Sequence, residues 1–227
     1  IGGAEGQIVL LKSRAAVVGL GGLGGFASEL LARMGVGTLV LIDGDSFSES
    51  NLNRQLLATE ENIGQSKAEA ARQRIKLINA AVETVVHKEM AIKENIGFML
   101  RGCNVVLDCL DNLQTRFLLQ DSCQQLGIPL VHGAIAQFFG QVSTIMPGDP
   151  GFKAIYKFYE KGKDKGIERE LGNPSTTPAL VSAWQVQEAI KVLLSNEATL
   201  RNRLLFIDTL HGGTETILLN EDEKNDE

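Results

Sequence analysis

The chain has 227 residues, 44% hydrophobic and 22% charged, with a formal net charge of -6; this supports a packed core and excludes a disordered or fibrous chain. An acidic balance without a basic stripe argues against nucleic-acid binding, no apolar run approaches the about 20 residues that span a bilayer, and no signal peptide precedes the first strand. Cys103, Cys109 and Cys123 form no C-x-x-C pair, so they indicate neither a disulfide framework nor structural zinc and fit a reducing cytoplasm.

From Arg14 onward, short β-branched or apolar runs alternate with longer helical patterns, as in parallel strands joined by crossover helices. Residues 15–19 read as a strand, 23–33 as a helix and 38–43 as a second strand. Residues 67–78 form an amphipathic helix with Ile75 and Ile78 on its apolar side, and 82–86 a third strand. Strands follow at 105–109 and 130–134, separated by a helix over 113–126 that Gly127 and Pro129 stop. After residues 141–146 the pattern changes, and a helix over 179–194 and strands at 204–208 and 214–219 complete the chain. The fold expected is α/β, a Rossmann-like doubly wound sheet, parallel in its N-terminal half, with antiparallel strands added at the C-terminal part. We read a single domain over 1–227: a nucleotide-binding half (14–135), a crossover loop (147–178), a C-terminal helix with strands (179–220) and a disordered acidic tail (221–227). The crossover, rich in Gly, Pro and mixed charge, is weakly helical only over 154–160, and a connection so long is usually functional or mobile.

Gly19-Leu20-Gly21-Gly22-Leu23-Gly24 sits between a strand and a helix. There glycines let the backbone turn tightly and bring N–H groups and the helix N-terminus against phosphate. Asp43 ends the second strand at the distance where a Rossmann fold places a ribose-binding carboxylate. Together they indicate an adenosine-containing ligand, which leaves NAD, FAD and ATP open. A glycine turn that only packs helix on strand leaves Asp43 unexplained.

The polar loop from Gly44 to Gln55 leaves the same sheet edge and carries Asp45, Asn51 and Arg54, the last placed to reach phosphates. A surface arginine in such a loop is ordinarily solvated. Ser66 and Glu69 read as a capping box that puts Lys67 in the first turn of a helix. A cation there faces the positive end of the macrodipole, at a cost of roughly 0.3–1 kcal/mol unless an anion lies nearby; the alternative is a lysine swung into water. Asp108-Cys109-Leu110-Asp111-Asn112 closes another strand at this edge. Either aspartate can cap the following helix, but two carboxylates facing a phosphate loop also suit a Mg²⁺-nucleotide site, with Asp111 the metal ligand and Asp108 behind it.

With these segments in place, the chain resembles the ThiF/MoeB/HesA-type adenylating enzymes, bacterial relatives of the ubiquitin-activating enzymes. The resemblance rests on residues 19–25, Asp43-Gly44-Asp45, Ser50-Asn51-Leu52-Asn53-Arg54-Gln55, Gly64-Gln65-Ser66-Lys67 and Leu107-Asp108-Cys109-Leu110-Asp111-Asn112 in order. Gly140-Gln141-Val142, Pro147-Gly148-Asp149, Gln187-Glu188-Ala189-Ile190-Lys191 and residues 204–208 extend it over nearly the whole chain. It implies that Asp43 holds the ribose, that Asn51, Arg54 and Lys67 hold phosphates and that Asp111 binds Mg²⁺. Gly19, Gly21, Gly22, Leu23, Gly24, Asp45, Gln55 and Asn112 complete the expected ATP site. The partner implied is a small ubiquitin-fold sulfur carrier ending in Gly-Gly, threaded beneath the crossover of a homodimer. Many relatives carry two C-x-x-C zinc pairs and a crossover cysteine; here no cysteine follows Cys123, so structural zinc is not expected and a thioester or persulfide on the loop is in doubt. An arginine-containing segment that relatives place before the first strand is expected upstream of Ile1.

The chemistry implied is ATP-dependent adenylation of the carrier's C-terminal carboxylate. A carboxylate is ionised at neutral pH and needs no general base, which suits a chain whose His87, His132 and His211 have no catalytic spacing; only His132, at a strand end, is placed near the site. Two other readings remain: an NAD-dependent oxidoreductase, which gives Arg54, Lys67 and Asp111 no shared purpose, and a catalytically silent scaffold of the same fold.

Overall fold

The computed structural model describes residues 2–157 and 172–219. It opens with α1 (Gly3–Lys12), followed by β1 (Arg14–Val18), α2 (Gly22–Arg33), β2 (Thr38–Ile42), α3 (Lys67–Ile78), β3 (Glu83–His87), α4 (Ile96–Met99), β4 (Val105–Asp108), α5 (Leu113–Leu126) and β5 (Leu130–Ala136). Then come β6 (Phe139–Ile145), α6 (Phe152–Ile155), α7 (Thr176–Leu193), β7 (Arg203–Asp208) and β8 (Gly213–Leu218). The strands form one eight-stranded sheet in the order β3-β2-β1-β4-β5-β6-β7-β8. Pairing is parallel from β3 to β5 and antiparallel from β5 to β8. The expected α/β architecture is thus observed.

Strand alternation divides the core between the two faces of the sheet. Ala15, Val17, Leu39, Leu41, Val105 and Leu107 pack with α2, α3 and α7, while Ala16, Val18, Val40, Ile42 and Val106 pack with α4, α5 and Phe152. A strand covered on both faces reads as a continuous apolar run, which is why β1, β2 and β4 were legible.

Several boundaries differ for identifiable reasons. No element is assigned before Arg14 in the sequence, yet α1 forms there; Gly3 and Gly6 are poor helix formers, and tertiary burial of Leu10 supplies what propensity lacks. The four-residue α4 is too short for a periodic signal. α7 starts three residues before the expected 179 because Pro178 sits in its first turn, where a missing N–H costs no helical bond. Ser66 is the N-cap of α3, but the capping box is absent: the Ser66 side chain accepts no cap bond, and Glu69 turns to Arg72 and Lys88. The expected crossover helix over 154–160 overlaps α6 (Phe152–Ile155) at residues 154–155, and its residues 158–160 lie outside the described residues. Residues 158–171 and 220–227 lie outside the described residues, and with them the expectations of a mobile crossover and a disordered tail.

Register sets the site. Val18 pairs with both Ile42 and Asp108, so β1, β2 and β4 end level. The strand order reverses between β1 and β4, and a crevice opens at such a switch point beyond the carboxyl ends of the strands.

Candidate active site

The loop after β1 is shaped by two glycines. Gly19 has φ +89°, and a Cβ there would stand 2.7 Å from the Cys109 carbonyl oxygen; at Gly24 a Cβ would lie 1.8 Å from the Gly19 carbonyl oxygen. The first lets the chain leave the sheet, and the second lets α2 close on the loop. Asp43, one residue past β2, ties this loop down. Its Oδ2 accepts from the Leu20 amide at 2.6 Å and its Oδ1 from the Asp45 amide at 2.7 Å. Burial raises the Asp43 pKa above the usual aspartate value, opposed by these two amides and the Lys67 charge.

Between these elements lies a cleft of about 460 Å³. Every residue assigned to the site from sequence lines it except Gly24 and Asn51. Gly24 serves helix packing, and the Asn51 Oδ1 accepts the Ser48 amide at 3.1 Å, closing the 3-10 turn Glu49–Asn51. Gln55 is buried at the wall, with its Oε1 lacking a hydrogen-bond partner. Arg54 folds over its own loop, donating to the Ser50 carbonyl at 2.9 Å and to Asn53 Oδ1 at 2.8 Å.

Lys67 is buried and its Nζ lies 3.0 Å from Asp45 Oδ2. The anion that offsets its unfavourable helix position is therefore Asp45. Asp45 remains half exposed (53% of its side chain), so the pair stands at the cleft rim rather than inside the core.

At the end of β4 the two aspartates part company. Asp111 is exposed and lines the cleft; Asp108 is fully buried and does not. The helix cap is neither of them: Asn112 Oδ1 accepts the Thr115 amide at 2.9 Å. Asp108 Oδ2 instead meets His132 Nδ1 at 2.7 Å and Arg116 Nε at 3.4 Å. His132 also is fully buried, inside β5 and behind the cleft wall rather than at a strand end. Burial lowers its pKa more strongly than Asp108 raises it, so the imidazole is neutral and its Nδ1–H donates.

The sequence missed Arg116, although the argument that flags Lys67 applies to it as a cation in the opening turns of α5. Glu89, Met90 and Ala91, which line the cleft beyond β3, carry no motif; only their position after a parallel strand points to the site. Gln185 on α7 is buried and donates to the carbonyls of Asp108 and Val131 at 2.7 and 2.9 Å, bracing β4 against β5.

The sequence matches the ThiF family over residues 1–227. The chain belongs to the ThiF family. Among ThiF-family relatives, the SAMP-activating enzyme E1 of Haloferax volcanii is 39% identical over 95% of this chain and 80% of that protein. The adenylyltransferase and sulfurtransferase MOCS3 of Drosophila sechellia is 37% identical over 91% of this chain, which spans 46% of the MOCS3 length. A crystal structure of E. coli MccB with MccA-N7isoASN shares the fold with TM-score 0.82 and 17% identity, over 96% of this chain and 68% of that one. The PaaA crystal structure does so with TM-score 0.79 and 19% identity, over 96% and 67%. Among the described residues no helix is long and apolar enough to cross a membrane.

Proposed function

We propose that this ThiF-family chain uses ATP to adenylate the C-terminal glycine carboxylate of a small ubiquitin-fold sulfur-carrier protein. The observation that carries this is the cleft at the switch point, where the glycine loop, Asp43, Arg54, Lys67 and Asp111 converge. The relatives named a SAMP-activating enzyme and an adenylyltransferase supply the substrate class.

In this reading the loop after Gly19 receives the phosphates and Asp43 accepts the ribose hydroxyls. The carrier carboxylate attacks the α-phosphorus. A carboxylate oxygen–phosphorus bond forms, the bond to the bridging oxygen breaks, and the electron pair leaves with pyrophosphate. No proton is moved, so no general base is required. Arg54 and Lys67 neutralise charge on the phosphates, Arg54 after release from its own loop, while Asp45 keeps Lys67 aimed at the rim.

Magnesium fits the donor set in one specific way. Among the described residues there is no group of three or more His, Cys, Asp or Glu side chains able to cage a metal. Mg²⁺ bound with a nucleotide needs only one or two carboxylates, the phosphates and water. Asp111, exposed on the cleft wall, offers that oxygen ligand, and the ion would supply charge neutralisation at the phosphates.

Of the MOCS3 name we adopt only the adenylyltransferase half. Cys103, Cys109 and Cys123 are all buried, with thiol pKa values pushed up chiefly by burial, which disfavours thiolate chemistry. We further propose a cytoplasmic homodimer, supported by the exposed Ile8, Val9 and Leu11 on α1.

The test is ATP–pyrophosphate exchange dependent on a Gly-Gly-ended ubiquitin-fold protein. Exchange that requires the intact C-terminal glycine supports the proposal; tight NAD binding with no ATP binding by the folded protein overturns it.

A further inference from the structure

The turn that carries Asp111 is held by a buried charge pair, Asp108 behind the cleft wall and Arg116 at its lining, on which neither the family match nor the adenylation chemistry depends. Leu110, the residue before Asp111, has both backbone polar groups gripped: its N–H donates to Asp108 Oδ1 at 3.1 Å, and its carbonyl accepts from Arg116 Nη2 at 2.6 Å. Asp108 and Arg116 in turn face each other, with side chains 0% and 4% exposed. One anion and one cation, removed from water together, therefore act on one peptide from its two ends.

The cluster extends to the start of the long connection. Arg116 Nη1 donates to the Tyr156 hydroxyl at 3.3 Å, and Gln141 Nε2 donates to the same oxygen at 2.6 Å. With His132 Nδ1–H committed to Asp108, His132 Nε2 is an acceptor, and both Gln141 Nε2 at 3.1 Å and the Tyr156 hydroxyl at 3.2 Å lie within donor reach of it. Phe152, fully buried on α6, packs edge-on against His132 with ring centroids 5.0 Å apart, which fixes the imidazole from the other side.

A buried ion pair is a poor source of stability, because desolvation offsets most of its attraction. Its retention under this turn calls for another purpose. Partners behind a ligating group orient it and tune its affinity.

We infer that Arg116 is a positioning residue: with Asp108 it locks the Leu110 peptide so that Asp111 presents its carboxylate to the nucleotide-bound metal, and the Tyr156 hydroxyl keeps Arg116 in place. This rests on the adenylation proposal, since it assigns Asp111 to Mg²⁺. Arg116 also lines the cleft, with its side chain only 4% exposed; in this scheme it acts through the Leu110 peptide.

The test uses Mn²⁺ as the probe, titrated against the whole chain in the presence of excess non-hydrolysable ATP analogue and followed by electron paramagnetic resonance. Arg116→Lys is expected to raise the half-saturating Mn²⁺ concentration roughly tenfold. Tyr156→Phe, which removes one hydroxyl and leaves the ring, is expected to raise it about threefold. Analogue affinity without metal is expected to stay within about twofold of wild type, because Asp43 and the glycine loop are untouched. Wild-type affinity for Mn²⁺ in a folded Tyr156→Phe protein overturns the positioning role, even if Arg116→Lys fails to fold. Equal losses of analogue affinity with and without Mn²⁺ also overturn it, as the signature of general destabilisation. Wild-type protein that binds neither analogue nor Mn²⁺ overturns the adenylation proposal itself, an outcome distinct from both.

Discussion

Two strand ends on the same sheet edge handle carboxylates in opposite ways. Past β2, one aspartate does everything: Asp43 is drawn in, both its oxygens are occupied by amides of Leu20 and Asp45, and burial raises its pKa. Past β4, the work is divided: Asp108 is sealed behind the wall with His132, Arg116 faces it from the cleft lining, and Asp111 stands exposed in the cleft. A group that recognises a neutral ribose hydroxyl can be fixed in advance, because it needs only a defined acceptor. A group that meets a hydrated cation must keep lone pairs facing water, so its rigidity has to come from a neighbour. The division of labour at β4 follows from the ligand each end is proposed to meet.

The contrast can be broken at Asp111 first. Asp111→Asn removes the ligand charge while leaving the Leu110 clamp intact, and is expected to depress carrier-dependent pyrophosphate exchange about 100-fold at fixed Mg²⁺. The melting temperature should hold, since the side chain is exposed. Exchange within a few-fold of wild type would move the metal ligand elsewhere.

Asp43→Ala tests the other end and should act on binding instead. Losing a charged acceptor costs roughly 1.5–3 kcal/mol, so ATP affinity measured by calorimetry is expected to fall by about one to two decades. Stability should fall too, because the amides of Leu20 and Asp45 lose their acceptor. If Asp43→Ala binds ATP normally, the ribose assignment is wrong and the carboxylate serves only to tie the two loops together.

Lys67→Met sharpens the comparison at the rim. Methionine replaces the stem and removes the charge, leaving Asp45 half exposed and able to rehydrate. The expected effect is about a tenfold fall in the exchange rate with a smaller change in ATP affinity, as for a cation whose main contact forms as charge develops. Equal changes in both would make Lys67 a simple binding group.

How much of this could be read from the chain depends on the range of the interactions. The glycine loop and Asp43 were legible because Gly19, Gly24 and the end of β2 obey local rules of turn and strand. The end of α5 was legible because Gly127 caps it, while its N-cap, read as an aspartate, is Asn112. Asn51 was carried into the site by resemblance alone, and its side chain proves to be occupied by the Ser48 amide. Lys67 was flagged because its helix position asks for an anion; one such anion, Asp45, lies 22 residues upstream and is brought close only by the fold, beside the phosphate proposed for the same cation. Arg116 carried the same helix-start signal as Lys67, but its meeting with Gln141 and Tyr156 was not legible, since the cluster joins α5, β6 and the residue after α6, and no sequence spacing reports it.

The smallest effect is expected from the thiols, which the contrast leaves idle. Cys109 begins the very turn that carries Asp111 and lines the cleft, so it is the one cysteine placed where it could react. Its burial and the Asp108 charge beneath it both push its pKa up, and its thiol donates toward Gln185 Oε1 at 3.4 Å. A thiolate there would face the Asp108 carboxylate across a buried wall, so the group remains a neutral packing residue. Cys103 and Cys123 pack on the other face of the sheet, away from the cleft. Replacing all three by alanine is therefore expected to leave carrier-dependent exchange within about twofold of wild type. The removed sulfurs should cost roughly 1–3 kcal/mol of stability in total, visible in chemical denaturation. Alanine is preferred to serine because a buried hydroxyl at Cys123 would need a new partner. A folded cysteine-free chain that binds ATP but has lost exchange would show that a thiol enters the reaction, and Cys109→Ala alone would then identify whether it is the one on the Asp111 turn.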